Sequence, residues 1–476
     1  MVGRLTKKKE EGGEKMLEKG KGIRIKARDT KKIFSFYSNL IGFGFIFLFI
    51  LIHLLLPIDF QKNDFWKISE HVTSPVFITV TFFSLLISSI TALMHYKYFK
   101  RSFNKMKHCQ TIARLVINNG WCDFEAEEDF IMKLFRKEKP VNFPRIWYKV
   151  KESEIKITVA IDAGRYDKEL IEIEERLEIN LYSELMGKLF MDGYMEYTLF
   201  CDLLTSRIGI EDVVVKKGKM KLMENLYWTF DKLPHMLLVG GTGGGKSYYI
   251  LTIIEALLKY GANLHILDPK NSDLADLATV LPNVHSEPEK IKNAIEKFYE
   301  DMMARSKEMK EHKNYKTGKN YAYLGLEPNF LIFDEYVAFM DMMGREAYAV
   351  MDKIKKIVML GRQSGFFIIL ACQRADAKYM ADGIRDQFNF RVALGRNSEI
   401  GYGMIFGDTN KKFIQKDILG RGYVDTGTNV IREKYTPLVP EDYDFLQKIG
   451  EVAKERGLIS QMEMDKILEE EELEED

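Results

Sequence analysis

The chain has 476 residues, 46% hydrophobic and 29% charged, which is enough for about three domains with packed cores. Its 70 basic residues balance 70 acidic ones, so the overall charge does not indicate a nucleic-acid partner, although a local basic patch could still bind one. The four cysteines form no CxxC pair and no Cys/His cluster, which excludes the usual zinc motifs and fits a reducing compartment.

Two apolar segments follow a basic leader, residues 1–32. Ile33–Leu56 and Val76–Met94 are each long enough to cross about 30 Å of hydrocarbon as a helix. Lysine and arginine concentrate outside this pair, whereas the loop 58–71 carries two lysines and three acidic residues. The positive-inside rule then places both termini in the cytoplasm. We predict a multi-pass cell-membrane protein with two transmembrane helices and a short outer loop in residues 33–94; the alternative is a buried core hairpin.

Residues 95–230 predict a membrane-proximal helical and α+β module. Helical spacing of apolar residues continues to Asn119-Gly120, where a turn is expected. The alternating runs Arg145–Val150 and Glu154–Ile161 predict strands, and a charged helix is expected near Asp167–Glu178. This module contains no recognisable catalytic motif.

Residues 231–440 predict an α/β domain with a parallel sheet. Short apolar runs alternate there with helical segments, which is typical of a sheet covered by helices on both faces. The runs are Met236–Val239, Leu264–Leu267, Phe330–Phe333, Phe366–Ala371 and Phe390–Leu394. A helical tail, residues 441–476, follows and ends in the acidic sequence "LEEEELEED". The simplest interpretation of the basic leader and the acidic tail is that both are solvated termini.

A glycine-rich phosphate loop follows the first of these runs. The sequence "GGTGGGKS" matches G-x-x-x-x-G-K-[ST], in which the backbone N–H groups surround phosphates at a helix N-terminus. Lys246 would bring its charge to the phosphates as a catalytic residue, and the Ser247 hydroxyl would bind Mg²⁺. Tyr248 and Tyr249 are interpreted as core residues of the helix. The predicted ATP-binding residues are Gly240, Gly241, Thr242, Gly243, Gly244, Gly245, Lys246 and Ser247.

A pair of carboxylates, Asp334 and Glu335, ends the apolar run "NFLIF". Asp334 is the predicted second ligand of Mg²⁺. Glu335 is the predicted general base, because that role requires a carboxylate beside the metal rather than on it. The pair predicts hydrolysis of ATP rather than nucleotide binding alone.

The order of motifs over residues 220–440 resembles the FtsK/SpoIIIE family of DNA-pumping motors. Asp268-Pro269-Lys270 ends the second run, Cys372-Gln373-Arg374 ends the fourth, and "FRVALGRN" and "LGRGYVD" follow. The whole layout resembles the coupling ATPases of Gram-positive conjugative plasmids and transposons. The resemblance implies a RecA-like P-loop NTPase motor preceded by two transmembrane helices and a small α+β module. The sequence C-Q-R-A departs from the family pattern T-Q-R-P.

The resemblance also implies roles for a glutamine and an arginine. Gln373 would sense the γ-phosphate, and Arg391 would act in trans on a neighbouring subunit of a homo-hexamer. Arg362, Arg374 and Arg396 are alternatives for the trans arginine, and a structural salt bridge is the competing interpretation for each. The resemblance does not identify DNA-contacting residues. Two stretches are candidates, "RSKEMKEHKNYKTGKNYAYLG" at residues 305–325, which a solvated helix end also explains, and "KYMADGIRDQ" at residues 378–387.

The resemblance implies a DNA translocase that delivers DNA, with its relaxase, to the channel proteins of a conjugative type IV secretion system. DNA would be contacted independently of its sequence. Three alternatives remain open: a chromosome-pumping translocase, a protein-secretion motor of the same superfamily, and a non-hydrolysing membrane scaffold. No winged-helix sequence reader is recognisable after residue 440, which weakens the chromosome-segregation alternative. Glu335 weighs against the scaffold.

Overall fold

The computed structural model describes residues 22–55, 75–126, 138–151, 153–201, 203–241, 243–375, 382–409, 411–414, 418–428 and 430–458. The chain divides into two compact units, Met1–Cys201 and Asp202–Asp476. Most of the predicted leader, the predicted outer loop 58–71, Thr242 and the acidic sequence at the end of the predicted tail lie outside the described residues.

Two long apolar helices open the first unit. Helix α1, Lys32–Leu55, packs against helix α2, Pro75–Tyr98, and the Tyr37 hydroxyl lies 3.2 Å from Nδ1 of His95. Both helices are long and apolar enough to cross a membrane. Phe43 and Phe82 are 72% and 61% exposed, so the apolar surface of the pair is not covered by the rest of this unit. The two predicted apolar helices are thereby confirmed.

The first unit also contains a five-stranded antiparallel sheet with the strand order β1-β4-β5-β7-β6. Its strands are β1 Ile23–Ile25, β4 Ile146–Lys151, β5 Glu154–Ala160, β6 Ser183–Met191 and β7 Tyr194–Cys201; β2 Asp123–Ala126 and β3 Glu138–Val141 form a separate hairpin. Helix α3, Lys100–Asn118, packs on this unit, and the predicted charged helix is present as α4, Asp167–Ile171, and α5, Glu174–Leu181. Trp147 and Tyr197 are fully buried in its core.

The second unit is built on an eight-stranded sheet with the order β13-β12-β14-β15-β11-β16-β17-β18. The first six of these strands are parallel, and β17 and β18 continue the sheet antiparallel. The strands are β11 Met236–Gly240, β12 Asn263–Leu267, β13 Val284–His285, β14 Asn329–Phe333, β15 Phe366–Cys372, β16 Phe390–Leu394, β17 Arg421–Asp425 and β18 Ile431–Tyr435. All five predicted strands are confirmed to within one residue at each end.

Helices pack against this sheet and bury its central strands. Every residue of β11, β14 and β15 is buried, as the continuous apolar runs predict. The helices are α6 Lys246–Tyr260, α7 Pro288–Glu311, α8 Tyr336–Met343, α9 Ala347–Ser364, α10 Asp382–Arg385, α11 Glu399–Phe406 and α12 Phe445–Glu455. A small antiparallel sheet of β8 Val215–Lys216, β9 Lys219–Met223 and β10 Leu226–Thr229 completes the unit.

The parallel strands bring the predicted motifs to one edge of the sheet. The loops that follow β11, β12, β14, β15 and β16 all leave from the carboxyl ends of these strands, which is where α/β proteins bind ligands. We call this the carboxyl edge, and the opposite side of the sheet the amino edge.

Candidate active site

The phosphate loop is held open by glycines in conformations that other residues rarely adopt. Gly243 has φ +77° and Gly245 has φ +84°, in the left-handed region that disfavours a side chain. The N–H of Gly244 donates to the carbonyl of Gly241 at 3.0 Å, and α6 begins at Lys246 directly after Gly245. This turn leads from β11 to the N-terminus of α6, and the N-terminus of a helix is a place where backbone N–H groups can bind an anion.

Lys246 contacts both predicted carboxylates. Its Nζ lies 2.9 Å from Oδ1 of Asp334 and also donates to Oε1 of Glu335. All three residues are buried, and the Asp334 side chain is only 5% exposed. Strand β14 delivers the two carboxylates at its carboxyl end, opposite the first turn of α6. The structure thus brings together the phosphate-loop lysine and the two acidic residues that sequence reasoning chose.

Glu335 has an unusual backbone conformation and a second basic neighbour. Its φ is +48°, and its N–H donates to Oδ1 of Asp334 at 2.9 Å, which turns the chain from β14 into α8. Its Oε2 lies 3.2 Å from Nζ of Lys270, the lysine of the D-P-K sequence after β12. The sequence indicated Lys270 only as part of the D-P-K motif, with no role in the active site. Strands β12 and β14 are adjacent and parallel, so the residues after their carboxyl ends lie close together. The contact between Lys270 and Glu335 could have been predicted from that adjacency.

The loop that carries Lys270 is fixed by its own aspartate. Asp268 is fully buried, and its carboxylate accepts hydrogen bonds from the N–H of Lys270 at 3.2 Å and from the N–H and hydroxyl of Ser272 at 2.8 and 3.0 Å. These bonds close a turn between residues 268 and 272. The turn therefore positions Lys270 before any ligand binds.

The charges of this cluster favour the ionised form of Glu335. Burial alone would raise the pKa of Glu335, but the ammonium groups of Lys246 and Lys270 hold that pKa below its usual value. Burial would lower the pKa of Lys246, but Asp334 and Glu335 raise it. A carboxylate and an ammonium group that stay charged next to each other are suited to exchange partners with a phosphate and a metal ion.

Gln373 follows β15 at the same edge. Strand β15 lies between β11 and β14, and Cys372 pairs with Val239, so Gln373 leaves the sheet between the phosphate loop and the two carboxylates. Gln373 is exposed. Burial raises the pKa of Cys372 to about 12, which keeps its thiol protonated and makes it a packing residue rather than a nucleophile.

The four candidate arginines differ in how free their side chains are. Arg391 uses Nε, Nη1 and Nη2 on the carbonyls of Phe388, Ile405 and Arg385, at 2.7, 3.2 and 3.2 Å, and its side chain is 12% exposed. That placement is structural and does not favour a role in trans.

Two of the remaining arginines share the edge of the active site. Arg362 is exposed, but its Nε donates to the carbonyl of Asp231 at the amino edge. Arg374 and Arg396 are exposed and follow the carboxyl ends of β15 and β16. They are therefore better placed than Arg391 to act near a nucleotide.

The basic segment 305–325 lies away from this cluster. It begins in the last turns of α7 and continues through the loop that precedes β14, so it belongs to the amino edge. Tyr321 anchors it, because its ring packs on Phe367 and its hydroxyl donates to Asp231 at 2.9 Å. The second candidate stretch, 378–387, is described only from residue 382.

The helix that follows the phosphate loop corrects one expectation. Tyr249 is 1% exposed and belongs to the core, as predicted, but Tyr248 is 56% exposed, so its interpretation as a core residue was wrong. The reason is helical spacing, because neighbouring residues at the start of α6 point to different faces.

The cluster fits a magnesium nucleotide. Lys246 and the loop N–H groups would hold phosphates, and Ser247, half-buried in the first turn of α6, and Asp334 would hold Mg²⁺. The donor set agrees with the preference of Mg²⁺ for oxygen ligands.

Comparison with known proteins gives a consistent family. The FtsK/SpoIIIE family model matches residues 211–329. The chain is 45% identical over 395 residues to the Ftsk domain-containing protein YdcQ of Bacillus subtilis, covering 82% of this chain and 81% of that protein. It is 28% identical over 254 residues to the DNA translocase FtsK of Helicobacter pylori, covering 48% of this chain and 29% of that protein, so the chain spans less than a third of that relative.

Solved structures align with this chain at low sequence identity. The pCW3 conjugation coupling protein TcpA, solved with ATPγS, aligns with a TM-score of 0.47 and 18% identity over 66% of this chain and 94% of its own. EssC of Geobacillus thermodenitrificans, ATPases 2 and 3, aligns with a TM-score of 0.43 and 16% identity over 52% and 50%. With its phosphate loop, its carboxylate pair and a relative of 45% identity over most of both sequences, the chain belongs to the FtsK/SpoIIIE family of P-loop ATPases.

Proposed function

We propose that this protein is a membrane-anchored, ATP-driven DNA translocase that acts as a coupling protein and delivers DNA with its relaxase to a conjugative transfer channel. The observation that carries the proposal is the contact of Lys246 with Asp334 and Glu335 at the carboxyl edge of an FtsK-family sheet. Two helices long enough to cross a membrane precede that motor in the chain.

Each residue of the cluster would have its own role in ATP hydrolysis. ATP with Mg²⁺ would supply the reactive phosphoryl group and an electrophilic metal centre. Lys246 would exchange its carboxylate partners for phosphate oxygens, and Asp334 would be left to hold the metal. Glu335 would accept a proton from the attacking water, with Lys270 keeping the carboxylate in place at Oε2. Gln373 would donate from its amide to a phosphate oxygen and accept from the water.

A ring of subunits would complete the site. Arginine supplied by a neighbour accelerates phosphoryl transfer by several orders of magnitude. Arg374 and Arg396 are our candidates, because both are exposed at the carboxyl edge, whereas Arg391 is engaged within its own unit. A homo-hexamer is the assembly we propose, with both termini of each subunit in the cytoplasm and sequence-independent contacts to the DNA backbone.

Support for conjugation comes from the layout of the chain. Two apolar helices, a small α+β module and one FtsK-type motor follow each other, as in the coupling ATPases of Gram-positive conjugative elements. A chromosome-pumping translocase would use the same motor chemistry. A protein-secretion motor would differ in its polymer and would be stimulated by a polypeptide rather than by DNA.

DNA-stimulated ATP hydrolysis tests the proposal. The full chain in lipid nanodiscs is assayed with single-stranded DNA, with duplex DNA and without DNA. We expect at least a tenfold stimulation by one of the two forms. An ATPase that neither form stimulates would contradict the DNA-motor assignment and leave the secretion alternative.

The variant Lys246→Ala links hydrolysis to transfer. It removes the phosphate-binding ammonium, so we expect ATPase activity and DNA transfer in mating assays to fall by at least a hundredfold. Lys297→Ala is the control, since it removes an exposed lysine of α7 in the same unit. Normal transfer by Lys246→Ala protein would show that this ATPase does not power the process.

A further inference from the structure

The basic segment 305–325 presents charge that the described residues do not neutralise. It carries six basic and two acidic residues. Lys307, Lys310, Lys313 and Lys316 are exposed, and none of them forms an ion pair within the part of the chain that the structure describes. Lys319 is also exposed, with its Nζ 5.7 Å from the centre of the Tyr323 ring. An exposed row of unpaired lysines is a surface for an anionic partner.

The last described helix ends beside this segment. Arg456, directly after α12, donates from Nη1 to the carbonyl of Ala262 at 2.6 Å, and its Nη2 lies 3.7 Å from Oε2 of Glu327. Arg305, the first residue of the basic segment, donates to the carbonyl of that same Glu327 at 2.7 Å. Glu327 therefore holds the end of α12 and the start of the basic segment together at the amino edge.

The chain continues from this point into its acidic tail. The N–H of Leu458 donates to the carbonyl of Ala453, which fixes where the chain leaves the motor. Residues 459–476 contain nine carboxylates and one lysine. A segment of that length reaches up to about 60 Å when extended, whereas the basic segment begins next to the point of departure.

We propose that the acidic tail, residues 459–476, docks on the basic segment 305–325 of its own chain. Two observations support this inference. The tail and the segment carry opposite charges, and the contacts of Glu327 with Arg456 and Arg305 place the start of the tail beside the start of the basic segment. A tethered partner has an effective concentration of about 1 mM, so several weak, exposed ion pairs are sufficient for docking. The tail would then shield these lysines from other polyanions, whatever polymer the motor moves.

Zero-length crosslinking of the full chain in nanodiscs tests the docking. A water-soluble carbodiimide joins a lysine to a carboxylate only where the two touch. We expect tail crosslinks to Lys307, Lys310, Lys313 and Lys316 at least five times more often than to Lys297 and Lys355. These two are exposed lysines of the same unit outside the basic segment and serve as internal controls. The crosslinks should weaken between 50 and 500 mM salt, because exposed charges are screened.

Two further measurements make the result decisive. In one variant, four tail residues are changed to Gln: Glu469, Glu470, Glu471 and Glu472. The yield of these crosslinks should fall at least five-fold in that variant, while its ATPase activity is unchanged. Mixing isotope-labelled with unlabelled chains shows whether a crosslink is internal, as proposed, and crosslinks between copies would overturn the same-chain docking. Equal labelling of segment and control lysines would overturn it as well, as would protection of the segment lysines by DNA without any crosslink to the tail.

Discussion

Lys434 provides a sharp test of the energetics of the motor unit. It lies in β18, is fully buried, and its Nζ is 3.5 Å from the centre of the Tyr249 ring in α6. That amine has no hydrogen-bond partner among the described residues. Burial, reinforced by the positive charge of Arg207, holds the pKa of Lys434 far below its usual range.

The sign of the pH dependence follows from this lowered pKa. In the unfolded chain the lysine is protonated up to about pH 10, whereas in the folded protein it loses its proton at a lower pH, and the two states differ in protonation only between these two pH values. The unfolded state therefore binds one more proton, and the stability of the folded state rises with pH by about 1.4 kcal/mol per unit.

The substitution Lys434→Met removes this dependence. Methionine keeps the apolar stem without the amine, so we expect the variant to be more stable than the wild type at pH 7 by about 1–3 kcal/mol, the usual cost of a buried polar group without a hydrogen bond. The difference should shrink as the pH rises from 7 toward 10.

Urea unfolding of residues 202–476 measures the difference. Trp228 is fully buried in this compact unit and reports its unfolding by fluorescence. Lys216→Met, which removes an exposed lysine of the same unit, is the control and should change stability by less than about 0.5 kcal/mol. If the stabilities of the wild type and Lys434→Met stay parallel between pH 7 and pH 9, Lys434 keeps its proton when folded and the reasoning is refuted.

Three further predictions concern the active site. Glu335→Gln removes the proposed general base but leaves the phosphate loop unchanged, so the rate of ATP hydrolysis should fall about 10²–10⁴-fold. The affinity for an ATP analogue, measured by calorimetry, should stay within about threefold of the wild-type value. An unchanged rate of hydrolysis would exclude Glu335 as the base. Lys270→Gln should lower kcat several-fold with KM unchanged in steady-state assays, and Lys270→Arg should restore kcat, which a purely structural lysine would not require. Gly245→Ala forces a side chain into φ +84°, costing about 1–2 kcal/mol in thermal unfolding and weakening nucleotide binding; a variant of wild-type stability would contradict the strain.

The strands of the motor could be predicted because burial on both faces leaves a continuous apolar run. Phe330–Phe333 and Phe366–Ala371 were recognisable for this reason, and the direction of parallel strands then placed Asp334 and Gln373 at one edge. The phosphate loop was equally recognisable, because its glycines are required by backbone geometry at Gly243 and Gly245.

Side-chain contacts between distant elements could not be predicted in the same way. The engagement of Arg391 depends on carbonyls of Phe388 and Ile405, which only the packing of α11 brings near. The contact of Lys270 with Glu335 depends on the turn closed by Asp268 and on the left-handed φ of Glu335. No sequence pattern predicts either arrangement, since both depend on chain segments that meet only after folding.

Strand β14 runs between the amino edge and the carboxyl edge of the motor sheet. Asp334 and Glu335 follow its carboxyl end, and Glu327, which holds Arg305 and Arg456, lies two residues before its first residue, Asn329. The strand is fully buried and pairs with β12 on one side and β15 on the other, so sliding it along its axis would break both ladders. Its five residues separate the two edges by roughly 17 Å. Sites more than about 10 Å apart usually contribute independently, so we expect the free energies of tail docking and of nucleotide binding to add.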